Sequence, residues 1–393
     1  MNYILFDDSR RDNLLPLTFL RPVADIRIGI LTIREKWECY LQATTSTLTE
    51  DYLCKKHPLR KDDNNILING SVLPDARLVD TVTSLKPNQA IVIEDHILAI
   101  HLTSEEIDNV EEADYEELQY DKPFTSIHNV WDIFEKNDEA LRSDYALITE
   151  GRASAQIDKG NRVLGKENLF VEEGATVLWS SLNATTGPVY IGKEAQIMEG
   201  SLIRGPFALC DHSVIKMGAK IYGPVTVGPH SKAGGEISKS VIFGYSNKSH
   251  DGFLGHSVIG EWCNLGAHTC NSNLKNDYSK VKAWSYSEQS FVETGLQFCG
   301  LIMGDHSKAA INTMFNTGSV AGVCTSIFGA GFQRNFIASF QKGGTAGFRN
   351  IDIDDAIQTA ERMYQRRGLQ MSETDKEILR DVYEVSFKYR RTY

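Results

Sequence analysis

One residue in every six is aliphatic or small along the middle of the chain. Between Ile191 and Ala233 this spacing holds at eight successive positions, and the residues four places further on are mostly small. The positions are Ile191, Ile197, Ile203, Leu209, Ile215, Ile221, Val227 and Ala233. Neither a helix nor a simple alternating strand repeats every six residues. A parallel β-helix does, because one short strand and its turn occupy six residues. The pattern predicts a triangular β-helix with these residues in its interior.

The same spacing extends the predicted β-helix in both directions. It begins near residue 155 and continues beyond the stretch KSHDGFLGHSVIG at 248–260, whose first residues are expected to form a projecting loop. The flanking positions in phase are Ile157, Val163 and Leu169 before the central run, and Phe253, Ile259 and Leu265 after it. The stretch at 272–290 has no period and predicts a second excursion, after which the pattern returns loosely through 292–323. A β-sandwich, the alternative, should alternate with period two and turn every 8 to 12 residues.

The two ends of the chain differ from its middle. The runs YILF, NILIN and QAIVI predict strands, and the helix-forming stretches between them indicate an α/β fold. A helix predicted at 131–141 leads into the β-helix. We expect an α/β domain at 1–150, a β-helix domain at 151–348 and a helical tail at 349–393.

The tail is predicted to contain two helices. The first has acids at its start, basic residues at its end and Gly368 as its stop. The second starts at a Ser372-x-x-Asp375 capping box. The basic end of the second segment, KYRR at 388–391, has two interpretations, a contact with a phosphate or a solvated face, and a solvated face is the commoner.

Composition narrows the class of protein. The 393 residues suffice for two domains, and no apolar run approaches the roughly 18 residues that span a bilayer. The first residues carry no features of a signal peptide, so a cytoplasmic protein without membrane contact is expected. Seven scattered cysteines, odd in number and without a CxxC pair, are expected to be reduced. A net charge of −11 disfavours nucleic acid as a partner, yet it allows a local basic pocket for a phosphorylated small molecule.

The stretch at 249–273 carries a resemblance to a known family. It reads SHDGFLGHSVIGEWCNLGAHTCNSN, with His250, an LG pair, an IG turn, the run NLGA and a final Asn273. Over about residues 155–340 the chain resembles the hexapeptide-repeat acyltransferases, above all the acetyltransferase half of the bifunctional N-acetylglucosamine-1-phosphate uridylyltransferases. The opening FDD and the later LLPLTFLRPV are similar to two-domain sugar nucleotidyltransferase-like proteins. The resemblance implies a left-handed β-helix and a homotrimer, with acetyl-coenzyme A along the seam between subunits and an amino-sugar phosphate under the projecting loop.

The resemblance also implies roles for individual residues. His250 aligns with the base that takes a proton from the attacking amine, and imidazole in general can accept a proton near neutral pH. Substrate-binding positions are Lys216, Lys239, Phe253, Asn264 and Asn273, and cofactor-binding positions are Ala267, Thr294 and Arg334. An internal asparagine ladder that satisfies turn backbone is the alternative for the two asparagines, and ordinary surface exposure is the alternative for the lysines.

Three departures from the family pattern leave the acceptor sugar open. Phe253 replaces a tyrosine that helps to hold the substrate, His268 replaces a glycine, and Lys275 lies near the position of an acid. His256 and His268 could also be interpreted as metal ligands, but no third ligand has suitable spacing, so no zinc site is expected.

The N-terminal domain lacks three features of active sugar nucleotidyltransferases. DDSRRDN replaces the glycine-rich loop that cradles a triphosphate, Val23 replaces a phosphate-binding lysine, and Ser71 replaces a magnesium-binding aspartate. A candidate substitute site for a nucleotide and Mg²⁺ consists of Arg10, Arg11, Arg21 and either Asp7 or Asp8. The alternative is a retained scaffold that binds a nucleotide sugar or only shapes the oligomer.

These features together predict a function. The expected activity is acetyl-coenzyme A-dependent transfer to a glucosamine-1-phosphate-like sugar or a nucleotide amino sugar. One alternative is a bifunctional uridylyltransferase and acetyltransferase that serves synthesis of cell-envelope precursors. The other is a non-catalytic protein that binds a sugar nucleotide.

Overall fold

The computed structural model describes residues 1–94, 96–107 and 113–390. The last three residues of the predicted tail lie outside these ranges. Contacts divide the chain into two compact units, which are described separately. The first unit comprises 1–14, 20–26 and 31–128, and the second comprises 15–19, 27–30 and 129–393. The predicted boundary at residue 150 stays a prediction.

The first unit is an α/β fold around one six-stranded sheet of order β2-β1-β3-β6-β5-β7. Its strands are β1 Asn2–Phe6, β2 Thr45–Leu48, β3 Asn65–Asn69, β4 Val72–Leu73, β5 Gln89–Ile93, β6 His96–Leu102, β7 Glu116–Gln119 and β8 Thr125–Ser126, and its helices are α1 Ile33–Leu41 and α2 Ala76–Thr83. Short 3-10 helices cover Ser9–Leu14, Val23–Asp25 and Asp51–Leu53. The predicted strands YILF, NILIN and QAIVI are confirmed as β1, β3 and β5. Alternate residues of these strands, namely Ile4, Leu67, Ala90 and Val92, belong to one apolar cluster, and the residues between them, such as Leu5, Ile66 and Ile91, are also buried.

The second unit opens with two helices, α3 Asp132–Glu135 and α4 Asn137–Thr149. The single helix predicted at 131–141 is therefore interrupted, because Lys136 leaves helical geometry with φ −90° and ψ 2°. Asn137 and Asp144 on α4 accept hydrogen bonds from the backbone N–H groups of Gly29 and Ile30 at 2.7 Å each. These buried acceptors tie α4 to the short segment 27–30 of the same unit.

The rest of the second unit is a β-solenoid with three faces, made of parallel strands that stack coil upon coil. The first face contains β10 Leu169–Val171, β13 Val189–Ile191, β16 Phe207–Leu209, β27 Leu301–Met303, β30 Ser319–Ala321 and β32 Phe336–Ile337. The second contains β11 Thr176–Val177, β14 Gln196–Ile197, β17 Val214–Ile215, β19 Lys232–Ala233, β21 Asn247–Lys248, β23 Asn264–Leu265, β28 Lys308–Ala309, β31 Ser326–Ile327 and β33 Gln341–Gly344.

The third face contains β9 Arg162–Leu164, β12 Ser181–Asn183, β15 Leu202–Arg204, β24 Cys270–Asn271 and β29 Met314–Phe315. Three long strands run from the third face on to the first: β18 Lys220–Val227, β20 Glu236–Ile242 and β22 Phe253–Ile259. Two hairpin strands, β25 Lys282–Ser285 and β26 Ser290–Glu293, lie outside the coils, and β34 Gly347–Asn350 pairs with β33. A 3-10 turn covers Lys166–Asn168.

The six-residue repeat correctly predicts the solenoid interior. All eight residues of the central run belong to one buried cluster, and Ile157, Val163 and Leu169 pack against it. The solenoid is confirmed by the strand register, and its left-handed winding stays a prediction.

The expected phase is wrong at Phe253, and the expected projecting loop is only a turn. Leu254, not Phe253, enters the core, because β22 aligns Phe253 with Glu236 and Leu254 with Ile237. The connection from β21 to β22 is the four-residue turn 249–252, two residues longer than the preceding turn 234–235. The second excursion is confirmed: it separates β24 from β27 and carries the β25–β26 hairpin.

The tail contains the two predicted helices, α5 Ile353–Arg366 and α6 Glu373–Val385, followed by a 3-10 turn Phe387–Tyr389. Ser372 caps α6 and accepts a hydrogen bond from the backbone N–H of Asp375 at 3.0 Å, which confirms this start. Within the three described ranges, no helix is both long and apolar enough to cross a bilayer.

Candidate functional site

The second face of the solenoid presents polar side chains outward at every rung near the middle of the stack. Lys232, Asn247, Asn264 and Lys308 occupy four successive rungs in direct register. The next residue of each strand turns inward, as the pleat requires. A polar surface is therefore laid over an apolar core along this face.

This surface forms the floor of a groove of about 680 Å³, here named the basic groove. One wall consists of the turns that follow the second face, and the other consists of the turns that precede it together with the end of α5. The lining residues are Lys216, Lys232, Tyr245, Asn247, Ser249, His250, Trp262, Asn264, Leu265, Gly266, Ala267, Lys308, Ile311, Met363, Arg366 and Arg367.

Four of the sequence-predicted site residues meet in the basic groove. They are His250, Lys216, Asn264 and Ala267. His250 is exposed in the turn 249–252, and its imidazole makes no hydrogen bond with another described residue. Asn264 points out of the face, so the alternative of an internal asparagine ladder is wrong for this residue.

An aromatic stack joins α5 to the wall that precedes the second face. The ring of Tyr245 stacks on Trp262 at 4.3 Å, and Trp262 stacks on Tyr364 of α5 at 4.1 Å. Tyr245 and Trp262 both have positive φ, 58° and 59°, so their backbone forms equivalent tight turns in successive coils and their rings align. Arg367, one residue beyond α5, donates a hydrogen bond to Asn247 on the groove floor at 3.1 Å.

The electrostatics of the basic groove favour an anion. Five cationic side chains line it, namely Lys216, Lys232, Lys308, Arg366 and Arg367, and none of its described lining residues is acidic. Burial, followed by the charges of Arg367, Lys216 and Arg366, lowers the pKa of Lys232. Burial, followed by the neighbouring Arg366, lowers the pKa of Arg367. A bound anion would relieve this repulsion in a chain whose net charge is −11.

Three other predicted substrate-binding residues lie around His256, outside the basic groove. Asn273 bonds with Nδ1 of His256 at 2.9 Å, and Lys239 contributes to the electrostatic environment of the same imidazole. The ring of Phe253 lies beside Gly255 and next to the Asn273 amide. Burial, then the charge of Lys239, lowers the pKa of His256 to about 4, so this histidine is neutral at pH 7. The residue that satisfies turn backbone is Asn271, whose amide pairs with both backbone groups of Gly255.

The two remaining cofactor predictions are also apart from His250. The Thr294 hydroxyl donates a hydrogen bond to the Val281 carbonyl at 2.8 Å and is buried at the base of the β25–β26 hairpin. Arg334 lines a different cavity of about 880 Å³, together with Lys282, Trp284, Phe336 and Lys388. The structure therefore does not bring these two residues to the basic groove.

Two of the three predicted arginines of the first unit, Arg10 and Arg11, are engaged with acids. Arg10 pairs with Asp8, and the buried Arg11 lies 3.4 Å from a carboxylate oxygen of Asp7 and donates to the Tyr52 hydroxyl at 2.8 Å. Arg21 is buried. Asp7 also accepts from the Val23 N–H and the Thr49 hydroxyl.

These contacts do not leave a free pair of carboxylates for Mg²⁺. Burial raises the pKa of Asp7, which opposes the ionised form that a metal ligand needs. Across residues 1–94, 96–107 and 113–390, no three His, Cys, Asp or Glu side chains are grouped as metal ligands.

Several lining residues of the basic groove escaped the sequence analysis. Lys232, Lys308 and Trp262 sit at regular places in the repeat, and their outward or turn positions could have been derived from its period. Arg366 and Arg367 were noticed only as the basic end of a helix. Both residues line the groove, whereas at the basic end of the second helix Lys388 lines the separate cavity of about 880 Å³ and Arg391 lies outside the described residues.

The comparisons with known proteins point to the class of transferases. Residues 3–153 match the sequence model of the family described as sugar nucleotidyl transferase. The bifunctional protein GlmU of Methanocaldococcus jannaschii is 36% identical over 87 residues, which is 22% of this chain and 21% of that protein. The GlmU of Methanococcus aeolicus is 35% identical over 83 residues, 21% of this chain and 20% of that protein. Each match thus spans about a fifth of the curated relative.

The solved structures that match part of this chain include two UDP-N-acetylglucosamine acyltransferases. The one from Francisella novicida has 11% identity and a TM-score of 0.30, covering 60% of this chain and 78% of that chain. The one from Campylobacter jejuni has 14% identity and a TM-score of 0.22, covering 58% of this chain and 96% of that chain. The strand register described above defines the solenoid of this protein independently of them.

Proposed function

We propose that the solenoid unit is an acyltransferase that moves an acetyl group from acetyl-coenzyme A to the amine of an amino-sugar phosphate or a nucleotide amino sugar. The observation that carries the proposal is the meeting of His250 with Lys216, Asn264 and Ala267 in one strongly basic groove. These four residues were selected from the resemblance in sequence, before their distances in the structure were known, and the first and the last are 51 positions apart.

His250 is the proposed general base. Nitrogen must lose a proton as it attacks the carbonyl carbon of the thioester, and an exposed imidazole at the groove wall can accept that proton. The Ala267 N–H makes no hydrogen bond with another described residue and lines the same groove, so it is the proposed donor to the oxygen that gains negative charge. Acetyl-coenzyme A supplies the activated acyl group when bound.

The cations of the basic groove suit substrates with several phosphates. Coenzyme A and nucleotide sugars carry such groups, and lysine and arginine are their usual protein partners. Lys232, Lys308 and Arg367 are the proposed phosphate contacts on the floor and the α5 wall. Asn264, between Lys232 and Lys308 in the stack, is proposed to bind the sugar.

A homotrimer is part of the proposal. Large apolar side chains are exposed beside the basic groove, in the turns that follow the second face and on the third face: Trp179, Leu202, Met217, Ile311 and Met314. A second copy of the chain that covered this stripe would lie next to His250 and enclose the site. Sedimentation of the purified chain should therefore give three times its mass, and a monomer would contradict this part. The proposed location remains the cytoplasm, with neither membrane nor nucleic acid as partner.

A second candidate function is nucleotidyl transfer by the first unit, which would make the protein bifunctional. The match of residues 3–153 to the sugar nucleotidyl transferase model favours it. The pairing of Arg10 and Arg11 with Asp8 and Asp7 speaks against it. A sugar-nucleotide-binding scaffold without activity is the third candidate.

One experiment separates the three candidates. The purified chain is incubated with acetyl-coenzyme A and a panel of amino-sugar phosphates and nucleotide amino sugars, and free thiol is measured. Separately, it is incubated with UTP, Mg²⁺ and N-acetylglucosamine-1-phosphate, and pyrophosphate is measured. Thiol release alone supports acetyl transfer, both products support the bifunctional enzyme, and ligand binding without either product supports the scaffold.

A further inference from the structure

A lysine occupies the interior of the solenoid directly below the turn that carries His250. Lys248 is the second residue of β21 and aligns with Ala233 of β19, whose side chain belongs to the apolar core. Its relative exposure is 1%, although its side chain ends in an ammonium group. Burial of a charge in an apolar core costs several kcal/mol unless partners compensate.

The partners of the Lys248 ammonium are backbone carbonyls of two successive turns. Nζ donates to the carbonyl of Gly234 at 3.1 Å and also to the carbonyl of His250. Among the residues that the structure describes, no carboxylate forms an ion pair with it. The cation therefore joins the turn 234–235 to the turn 249–252 from inside the coil.

Glycine makes this junction possible. A Cβ at Gly235 would lie 2.8 Å from the His250 carbonyl oxygen, and φ of Gly235 is +74°. A Cβ at Gly234 would lie 2.5 Å from the carbonyl oxygen of Ser249. Because both residues of the turn 234–235 are glycines, this turn packs directly against the backbone of the turn 249–252. The carbonyls of Gly234 and His250 therefore both reach the ammonium of Lys248.

The position of the His250 imidazole depends on its backbone. Its ring has no hydrogen-bond partner within the described chain, so nothing but the main chain and the walls of the basic groove fixes it. General-base catalysis requires an approach to within hydrogen-bond distance of the proton that is removed. A group that holds the His250 carbonyl therefore governs where the ring lies.

We propose that Lys248 is a positioning residue for His250: its buried ammonium holds the turn 249–252 so that the imidazole faces the basic groove. This inference rests on the proposed acetyl transfer. It assigns to the lysine no contact with the substrate, since Lys248 does not line the groove. Burial lowers the pKa of Lys248 to about 8, opposed by the charges of Cys270 and Asp251, which shows the cost of keeping this group inside.

The test compares K248M, which keeps the length of the side chain and removes the charge, with K248R, which restores donors. K193M replaces an exposed lysine outside the basic groove and serves as the matched control. For K248M we expect kcat to fall about 10- to 100-fold with KM within about 3-fold of wild type, because small displacements of a catalytic group have effects of this size. K248R should recover part of kcat, and K193M should match wild type.

Hydrogen exchange gives a readout that does not need activity. In K248M the amides of Glu236 and His268, which donate to the carbonyls of Gly252 and Asp251 in the turn, should exchange at least about 10-fold faster, while those of β28 keep their protection. Unchanged exchange at these two amides, or an unchanged kcat in an active protein, would overturn the proposal. If K248M exchanges faster but the wild-type protein transfers no acetyl group, Lys248 still holds the turn in place. That result would overturn the proposed acyltransferase activity instead. If K248M does not fold, K248A is measured in the same way.

Discussion

The indole ring of Trp262 and the phenol ring of Tyr364 lie nearly parallel, with their centroids 4.1 Å apart and their planes 16° from each other. The first belongs to a turn of the solenoid and the second to α5. This contact brings the end of α5, with Arg366 and Arg367, to the wall of the basic groove.

Loss of the Tyr364 ring should therefore weaken substrate binding more than catalysis. In Y364A the end of α5 loses a stack worth about 1 kcal/mol beyond its buried area, and the two arginines lose their fixed position. We expect KM for the phosphorylated acceptor to rise about 10-fold with kcat within about 3-fold. Steady-state kinetics measure both. Y364F keeps the ring and should resemble wild type; equal defects in both variants would contradict the role of the stack.

Arg367 should contribute to anion binding through its charge. A hydrogen bond to a charged group is worth about 1.5 to 3 kcal/mol, so R367Q should weaken binding of coenzyme A or the acceptor about 10-fold or more. Titration calorimetry at two salt concentrations measures this, and the salt dependence should become shallower in the variant. R362Q, on an exposed part of the same helix outside the basic groove, is the control. Identical affinities for R367Q and wild type would remove the arginine from the site.

His256 should make the solenoid unit sensitive to acid. Its pKa is about 4 in the folded chain and near 6.5 in the unfolded chain, so the unfolded chain binds more protons between these values. The free energy of unfolding should fall by about 2 kcal/mol, after allowance for partial exposure, as pH drops from 6.5 to 4. Urea unfolding across this range measures the loss. H256N, which tolerates the positive φ of 48° and does not titrate, should lose less; an equal loss would contradict the assignment.

Lys248 should act on stability in the alkaline range. Its pKa is about 8 when folded and about 10.4 when unfolded, so the unfolded chain again binds more protons between the two values. Wild type should therefore gain about 3 kcal/mol of unfolding free energy relative to K248M as pH rises from 8 to 10.5. Parallel denaturant titrations of the two proteins measure this difference. A gap that is independent of pH would mean that Lys248 titrates normally and is not enclosed by the core.

The sequence predicts the solenoid well because its interior is a local pattern. Each coil places an aliphatic residue such as Ile215 inward at a fixed interval, and no distant contact is needed to recognise the interval. The six-residue spacing of inward residues breaks down after Ala233. There β20 runs from the third face to the first and bends at Lys239, whose φ is 42°, so this coil is shorter than the preceding ones. Lys248 then lies 15 positions after Ala233 in the same register, an interval that six does not divide.

The groove could be predicted only in part. The sequence motif around His250 identifies the groove wall that is formed by the turns after the second face, because the residues of that wall lie close together in sequence. The α5 wall depends on packing between segments far apart, such as the bond from Arg367 to Asn247 across 120 positions. Composition and periodicity do not encode that contact. The same holds for Asn273, whose amide contacts His256 instead of lining the groove, because the bend of β22 at His256, where φ is 48°, places that ring beside it.

The most direct test of the central claim is acetyl transfer by H250A compared with wild type and H268N. His268 occupies the corresponding turn of the next coil, is exposed, and does not line the basic groove, and asparagine tolerates its positive φ of 58°. Thiol release from acetyl-coenzyme A is measured with the best acceptor of the panel, and circular dichroism checks that each variant is folded. Removal of a general base should lower kcat about 10²- to 10⁴-fold in H250A, while H268N stays within about 3-fold of wild type. An H250A variant that transfers acetyl groups at the wild-type rate would contradict the proposed site.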